Sequence, residues 1–182
     1  MLRGFLTISF VSILLCSSSV YGQSWTMTDP RNIETKGQRD IIPTRFVTYQ
    51  ADDSVIQAIL FGAPHENNTR LSSSNTYLTV GLADGSTDIF RIVEYDMMEP
   101  GLAEKYPDIK TFRGISQSNP YRRIRADWTE SGFRAVIRGP EGMTYIDPFQ
   151  RNDLTHRIAY FRKDFERVDA WSCETEDIGA GI

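Results

Sequence analysis

Two cysteines and two histidines among 182 residues leave little material for metal or disulfide chemistry. Two thiols cannot build a four-thiolate zinc site or a disulfide-dense mini-protein. A surplus of positive charge is also missing, with 20 Lys and Arg against 24 Asp and Glu, which argues against a strongly basic nucleic-acid binder. The chain contains no Gly-x-Ser-x-Gly elbow, Walker loop, dinucleotide fingerprint or closely spaced cysteine pair. What is present is aromatic: 12% Phe, Trp and Tyr lets a chain of this length offset its ordering entropy with a real core. The length suits one ordinary domain with short appendages.

Residues 1–22 have a basic start at Arg3, an apolar run from Gly4 to Leu15 and small residues before a break at Gly22. These are the parts of a secretory signal peptide, with cleavage expected after Gly22. The run is too short and too interrupted by serine for a stable membrane span. Leu15 is too large to precede a lipid-attachment cysteine, so Cys16 reads as part of the discarded segment. The expectation is a secreted or periplasmic protein whose one remaining thiol is Cys173.

Residues 23–43 are polar, lack a hydrophobic period and include Pro30, Gly37 and Pro43, which reads as a flexible arm. Arg45 to Tyr49 is a first strand. Asp52-Asp53-Ser54 caps a helix over Val55 to Phe61, stopped by Gly62 and Pro64. From Thr76 the period becomes two: Leu78, Val80 and Leu82 share a face, Asp84-Gly85 turns, and Ile89 to Tyr95 returns. Pro100 to Tyr106 forms a second short helix. Alternating segments follow at 109–115, 122–128, 133–138, 144–147 and 156–162, separated by Gly, Pro, Asn and Ser clusters. The expected fold is α+β and mostly β, an antiparallel meander with two short helices over residues 44–168. Residues 169–182 form an acidic tail. The expected core comprises Leu78, Val80, Phe90, Ile92, Phe112, Ile124, Trp128, Phe133, Ile137, Tyr145 and Ile146.

Few residues suggest chemistry. His65-Glu66-Asn67-Asn68-Thr69 begins like the zinc-protease helix motif, but Thr69 stands where the second histidine must be. His156 falls in a strand pattern, where a solvent-facing or cross-strand role suffices. With no third histidine there is no ligand set, hence no catalytic residues, no cofactor and no metal site of this chain's own. The acidic pairs Asp52/Asp53 and Glu174/Glu176 read as a helix cap and a solvated tail. Arg122, Arg123, Arg125, Arg134 and Arg138 can form a basic face on adjacent strands, or a solvated face that also blunts edge pairing. Asn67-Asn68-Thr69 is an N-glycosylation acceptor if the chain enters a eukaryotic secretory pathway.

Four stretches taken in order carry a resemblance: Phe90 to Gly114 (FRIVEYDMMEPGLAEKYPDIKTFRG), Gly132 to Ile137, Pro140 to Pro148, and His156 to Phe165. Together they resemble the N-terminal pro-region of secreted, reprolysin-like zinc metallopeptidases of bacteria, chiefly marine and gliding Bacteroidetes. The resemblance covers about residues 45–173. In that family a signal peptide, the pro-region and a cysteine-containing linker precede a metzincin domain with the motif His-Glu-x-x-His-x-x-Gly-x-x-His. None of its zinc ligands, nor the catalytic glutamate, has a counterpart here. The resemblance therefore implies an exported pro-region-like domain, without catalysis, that assists folding of a peptidase or inhibits it. The alternative is a stand-alone exported β-rich binding or surface protein. The implied partner is a metallopeptidase catalytic domain, to whose zinc Cys173 is a candidate ligand. Zinc favours sulfur, while the neighbouring Glu174, Glu176 and Asp177 disfavour the thiolate before a metal is met.

Overall fold

The computed structural model describes residues 25–165. The expected signal peptide at 1–22, and the tail that carries Cys173, lie outside these residues. Among the described residues nine antiparallel strands form one sheet: β1 (Trp25–Met27), β2 (Val47–Ala51), β3 (Tyr77–Gly81), β4 (Thr87–Glu94), β5 (Lys110–Ser116), β6 (Arg123–Thr129), β7 (Gly132–Gly139), β8 (Gly142–Pro148) and β9 (His156–Phe161). From β3 to β9 each strand pairs with its successor, as the alternating segments predict. Helix α1 (Asp53–Phe61) is capped by Asp52, whose carboxylate accepts from the Ser54 and Val55 amides. Helix α2 (Pro100–Lys105) starts at its proline, with Glu99 as cap.

The connection between the two halves is not local. Strand β2 pairs with β9, about a hundred residues away, and β1 pairs with β2, giving the order β1-β2-β9-β8-β7-β6-β5-β4-β3. The sheet curls so far that its two ends approach each other and it becomes nearly a barrel. The Tyr49 hydroxyl on β2 donates to the Leu82 carbonyl just past β3 at 2.7 Å. This closure needs Gly81, where a Cβ would fall 2.6 Å from the Tyr49 ring. Curling of this kind follows the twist of strands and hides most of the inner face from water.

Inside lies the main core: Leu78, Val80, Phe90, Ile92, Phe112, Ile124, Phe133, Ile137 and Ile146, with Ile56 and Leu60 of α1 laid into it. Two residues depart from the expected core. Trp128 is only partly buried, edge-on to Phe61 near the sheet margin. Tyr145 points the other way, because its parity is opposite to that of Ile146. It stacks on Tyr160 on the outer face, beside a second cluster of Ile33, Phe149 and Ile158.

The expected arm is corrected too. Within residues 23–43, Trp25 is 3% exposed between Tyr49 and Phe133, and Ile33 is buried. The Gln150 side chain accepts from the Lys36 and Gly37 amides, tying the segment to the β8–β9 loop. The folded unit therefore includes the segment from Trp25 onward and not only the residues from 44. Three residues are too few for a periodicity signal, and what holds them is contributed by distant strands.

Candidate interaction face and buried polar cluster

Strand parity distributes the arginines. Arg123 and Arg125 on β6, Arg134 and Arg138 on β7, and Arg113 on β5 all point outward, since the alternate residues Ile124, Ala126, Phe133, Ala135 and Ile137 fill the core. The register sets like charges opposite each other, Arg123 against Arg138 and Arg113 against Arg125. Such pairs are destabilising when nothing lies between them. Arg113 is neutralised by Glu66 at 2.7 Å. Arg125 stacks on the Tyr95 ring and donates to its hydroxyl at 2.8 Å. Arg134 is 3.9 Å from Asp147, and no carboxylate pairs with Arg123, Arg125 or Arg138 among the described residues. Val136, Ile115, Met143 and Tyr145 lie among these arginines, making the face both basic and apolar.

Arg122 does not belong to this face. It bonds Asp88 at 2.7 Å and Glu141 at 2.8 Å, closing the end of the sheet. Burial alone would raise the Asp88 carboxyl, but Arg122 and the Ser116 and Ser118 hydroxyls outweigh it and hold the group low. Asp127 and Asp147, in the row beside Arg134, are pushed up by burial. Asp147 also accepts from the Tyr160 hydroxyl at 2.9 Å.

The second cluster is one the sequence reading misses. Arg157 is fully buried on the inner side of β9 and pairs with Asp53 at the start of α1. Its guanidinium also donates to the Asp153 carbonyl at 2.5 Å and the His156 carbonyl at 3.0 Å. Asp52 alone is the helix cap, and Asp53 is the counter-ion. Burial pushes the Asp53 carboxyl up to about 6, against the pull of Arg157. Gly132, at φ +80°, makes room: a Cβ there would lie 2.6 Å from both Arg157 and Asp53. Asp153 accepts from the Thr155 and His156 amides, and its Oδ2 is 3.2 Å from the His156 ring. The signal available in sequence was parity, since Arg157 shares a face with Ala159. An inward-facing cation requires a buried counter-ion. Beside the pair is an open cleft of about 460 Å³ lined by Thr26, Gln50, Asp52, Asp53, Ser54 and Thr155.

The histidines stay apart. His65 meets Asp96 at 3.1 Å and accepts from the Asn67 amide through Nδ1. His156 meets Asp153. The turn of His65 to Thr69 closes through its backbone, with Thr69 donating to the His65 carbonyl, and puts no second imidazole beside the first. No group of three or more His, Cys, Asp or Glu residues able to hold a metal occurs among the described residues. Asn67 is exposed on its loop. Cys173, Glu174 and Glu176 lie outside the described residues. No helix of the described residues is long and apolar enough to cross a membrane. Chemically, the arginine face can bind carboxylates or other anions by multiple charge-assisted hydrogen bonds, whereas the Asp53–Arg157 pair is committed to holding α1. No family model, curated protein or solved structure matches the chain.

Proposed function

We propose that this chain is an exported, pro-region-like domain that docks on a zinc metallopeptidase, assisting its folding or occluding it, and performs no peptide hydrolysis itself. One observation carries the reading. The four stretches that resemble such pro-regions fall within one packed sheet, as β4 with β5 and as β7 to β9, with β6, which none of them includes, between the two groups. Phe90 to Gly114 contributes most of β4, all of α2 and most of β5. Gly132 to Ile137 lies in β7, Pro140 to Pro148 contains β8, and His156 to Phe165 contains β9. A resemblance confined to one packed unit is what a shared domain would leave. The arginine face adds support of a second kind, as a surface whose repulsions are relieved by an acidic partner. Cys173 is the candidate residue for reaching a partner's zinc, where a thiolate would displace the catalytic water.

The test is titration of the mature chain, and of Cys173→Ser, into a purified metzincin peptidase with inhibition as the readout. Saturable inhibition supports the reading. Equal inhibition constants for the two chains remove the cysteine's role but not the docking. Absence of both inhibition and assisted refolding overturns the reading.

The same arginine face favours a second reading, a stand-alone exported binding protein. A reading frame with the metzincin zinc motif immediately downstream in the genome would favour the first reading over the second.

A further inference from the structure

We infer that the outer arginine face of β6 and β7 is a docking surface for the acidic segment of this same chain beyond Phe165. The inference does not rest on a peptidase partner. Three observations meet. First, cross-strand neighbours Arg123 and Arg138, with Arg125 beside them, carry charge that no carboxylate among the described residues balances. An opposed pair of guanidinium groups is stabilised by a carboxylate placed between them.

Second, the segment has the complementary chemistry. It carries Glu166, Asp169, Glu174, Glu176 and Asp177 against a single Arg167, with Trp171 and Ile178 among them. The face offers apolar partners for those two, in Val136, Met143 and Tyr145. A sulfated polysaccharide or a nucleic acid would use the guanidinium groups but leave this apolar surface wet.

Third, the geometry starts the segment in the right place. The Phe165 ring packs on Tyr160 at 5.9 Å between centroids, and Tyr160 stacks on Tyr145. Tyr160, Tyr145, Val136 and Arg125 are successive members of one outward row across β9, β8, β7 and β6. Strands lie about 4.8 Å apart, so Arg125 is roughly 14 Å along this row from Tyr160. The nine residues from Phe165 to Glu174 span up to about 30 Å when extended. The acidic residues can therefore reach Arg123, Arg125 and Arg138, the arginines of this face that pair with no carboxylate among the described residues.

The experiment uses the mature chain through Ile182, with a nitroxide attached at Cys173, and reads paramagnetic loss of backbone amide signals. Docking predicts selective loss at Arg123, Arg125, Val136 and Arg138 at low ionic strength. The loss should be relieved by high salt, by Arg125→Glu with Arg138→Glu, and separately by Glu174→Gln, Glu176→Gln and Asp177→Asn. The last three leave the described fold untouched, so relief in them cannot be ascribed to misfolding. Uniform loss, or loss centred on another face, overturns the inference. In a mixture of isotope-labelled Cys173→Ser chain and nitroxide-bearing unlabelled chain, loss of equal size would assign the contact to a second copy and also overturn it. Heparin or an oligonucleotide that binds the face without displacing the label would show that the segment is not the occupant.

Discussion

Arg157 is completely buried and held by one carboxylate and two carbonyls, so its stability contribution is asymmetric. Asp53→Ala leaves a buried, unpaired guanidinium and is expected to destabilise the chain by about 3–5 kcal/mol. Adding Arg157→Met should recover much of that loss, because the apolar replacement removes the uncompensated charge. Urea denaturation of the two single variants and the double variant checks this; strict additivity would mean that the pair is not coupled. The pair also has a pH signature. Asp53 is raised from 3.8 to about 6 in the folded chain, so the folded state binds more protons than the unfolded one between those values. Its contribution is therefore fully present below the unfolded value and lost as pH rises through about 6. Asp88, held low, works in the opposite sense: its contribution is present above the ordinary carboxylate value and lost as pH falls through the folded one. The stability of the wild-type chain relative to Asp53→Asn should thus fall by about 1–3 kcal/mol on going from about pH 4 to pH 7. A pH-independent difference would contradict the assignment of Asp53.

At the scale of elements, the strand alternation says which residues point inward but not how deeply each is covered. Phe133 and Trp128 stand on one hairpin and are read alike from the pattern. Phe133 is completely buried beneath Trp25, whereas Trp128 is only partly buried at the margin, edge-on to Phe61 and against the rim of the core. Phe133→Ala is expected to cost about 3–5 kcal/mol and Trp128→Ala only about 1–3 kcal/mol. Chemical denaturation of both variants distinguishes them, and a larger loss for Trp128 would mean that the margin is packed more tightly than described. Strand β1 supplies a sharper case. Trp25→Ala should cost about 3–5 kcal/mol although it lies in what reads as a polar arm, because its ring fills the space between Tyr49 and Phe133. A loss near zero would restore the arm.

For the whole molecule, the proposed export predicts that secreted material begins at or near Gln23, checked by N-terminal sequencing; intact Met1 on the recovered protein would contradict it. The proposed non-catalytic role, with two histidines in the whole sequence and no metal-holding cluster among the described residues, predicts no chelator-sensitive proteolysis by the pure chain with or without added zinc. What the sequence determined by itself is the local part of this architecture. Period-two alternation, the Asp84-Gly85 turn, the Asp52 cap and Pro100 act over a few residues, and those signals suffice for α1, α2 and the meander from β3 to β9. Position in the alternating segments likewise put Arg122, Arg123, Arg125, Arg134 and Arg138 on adjacent strands, as a basic face or a solvated one. The tertiary structure decided everything that depends on distant partners. It brought β2 to β9 and β1 to β2, and it separated Arg122, which is neutralised by Asp88 and Glu141, from Arg123, Arg125 and Arg138, which pair with no carboxylate among the described residues. It buried Arg157 against Asp53, a pairing across about a hundred residues that no local pattern encodes. The reason is physical: a strand's edge bonds and a buried charge's counter-ion are supplied by whichever segment the closing sheet brings alongside, and that is settled only when the whole chain has curled.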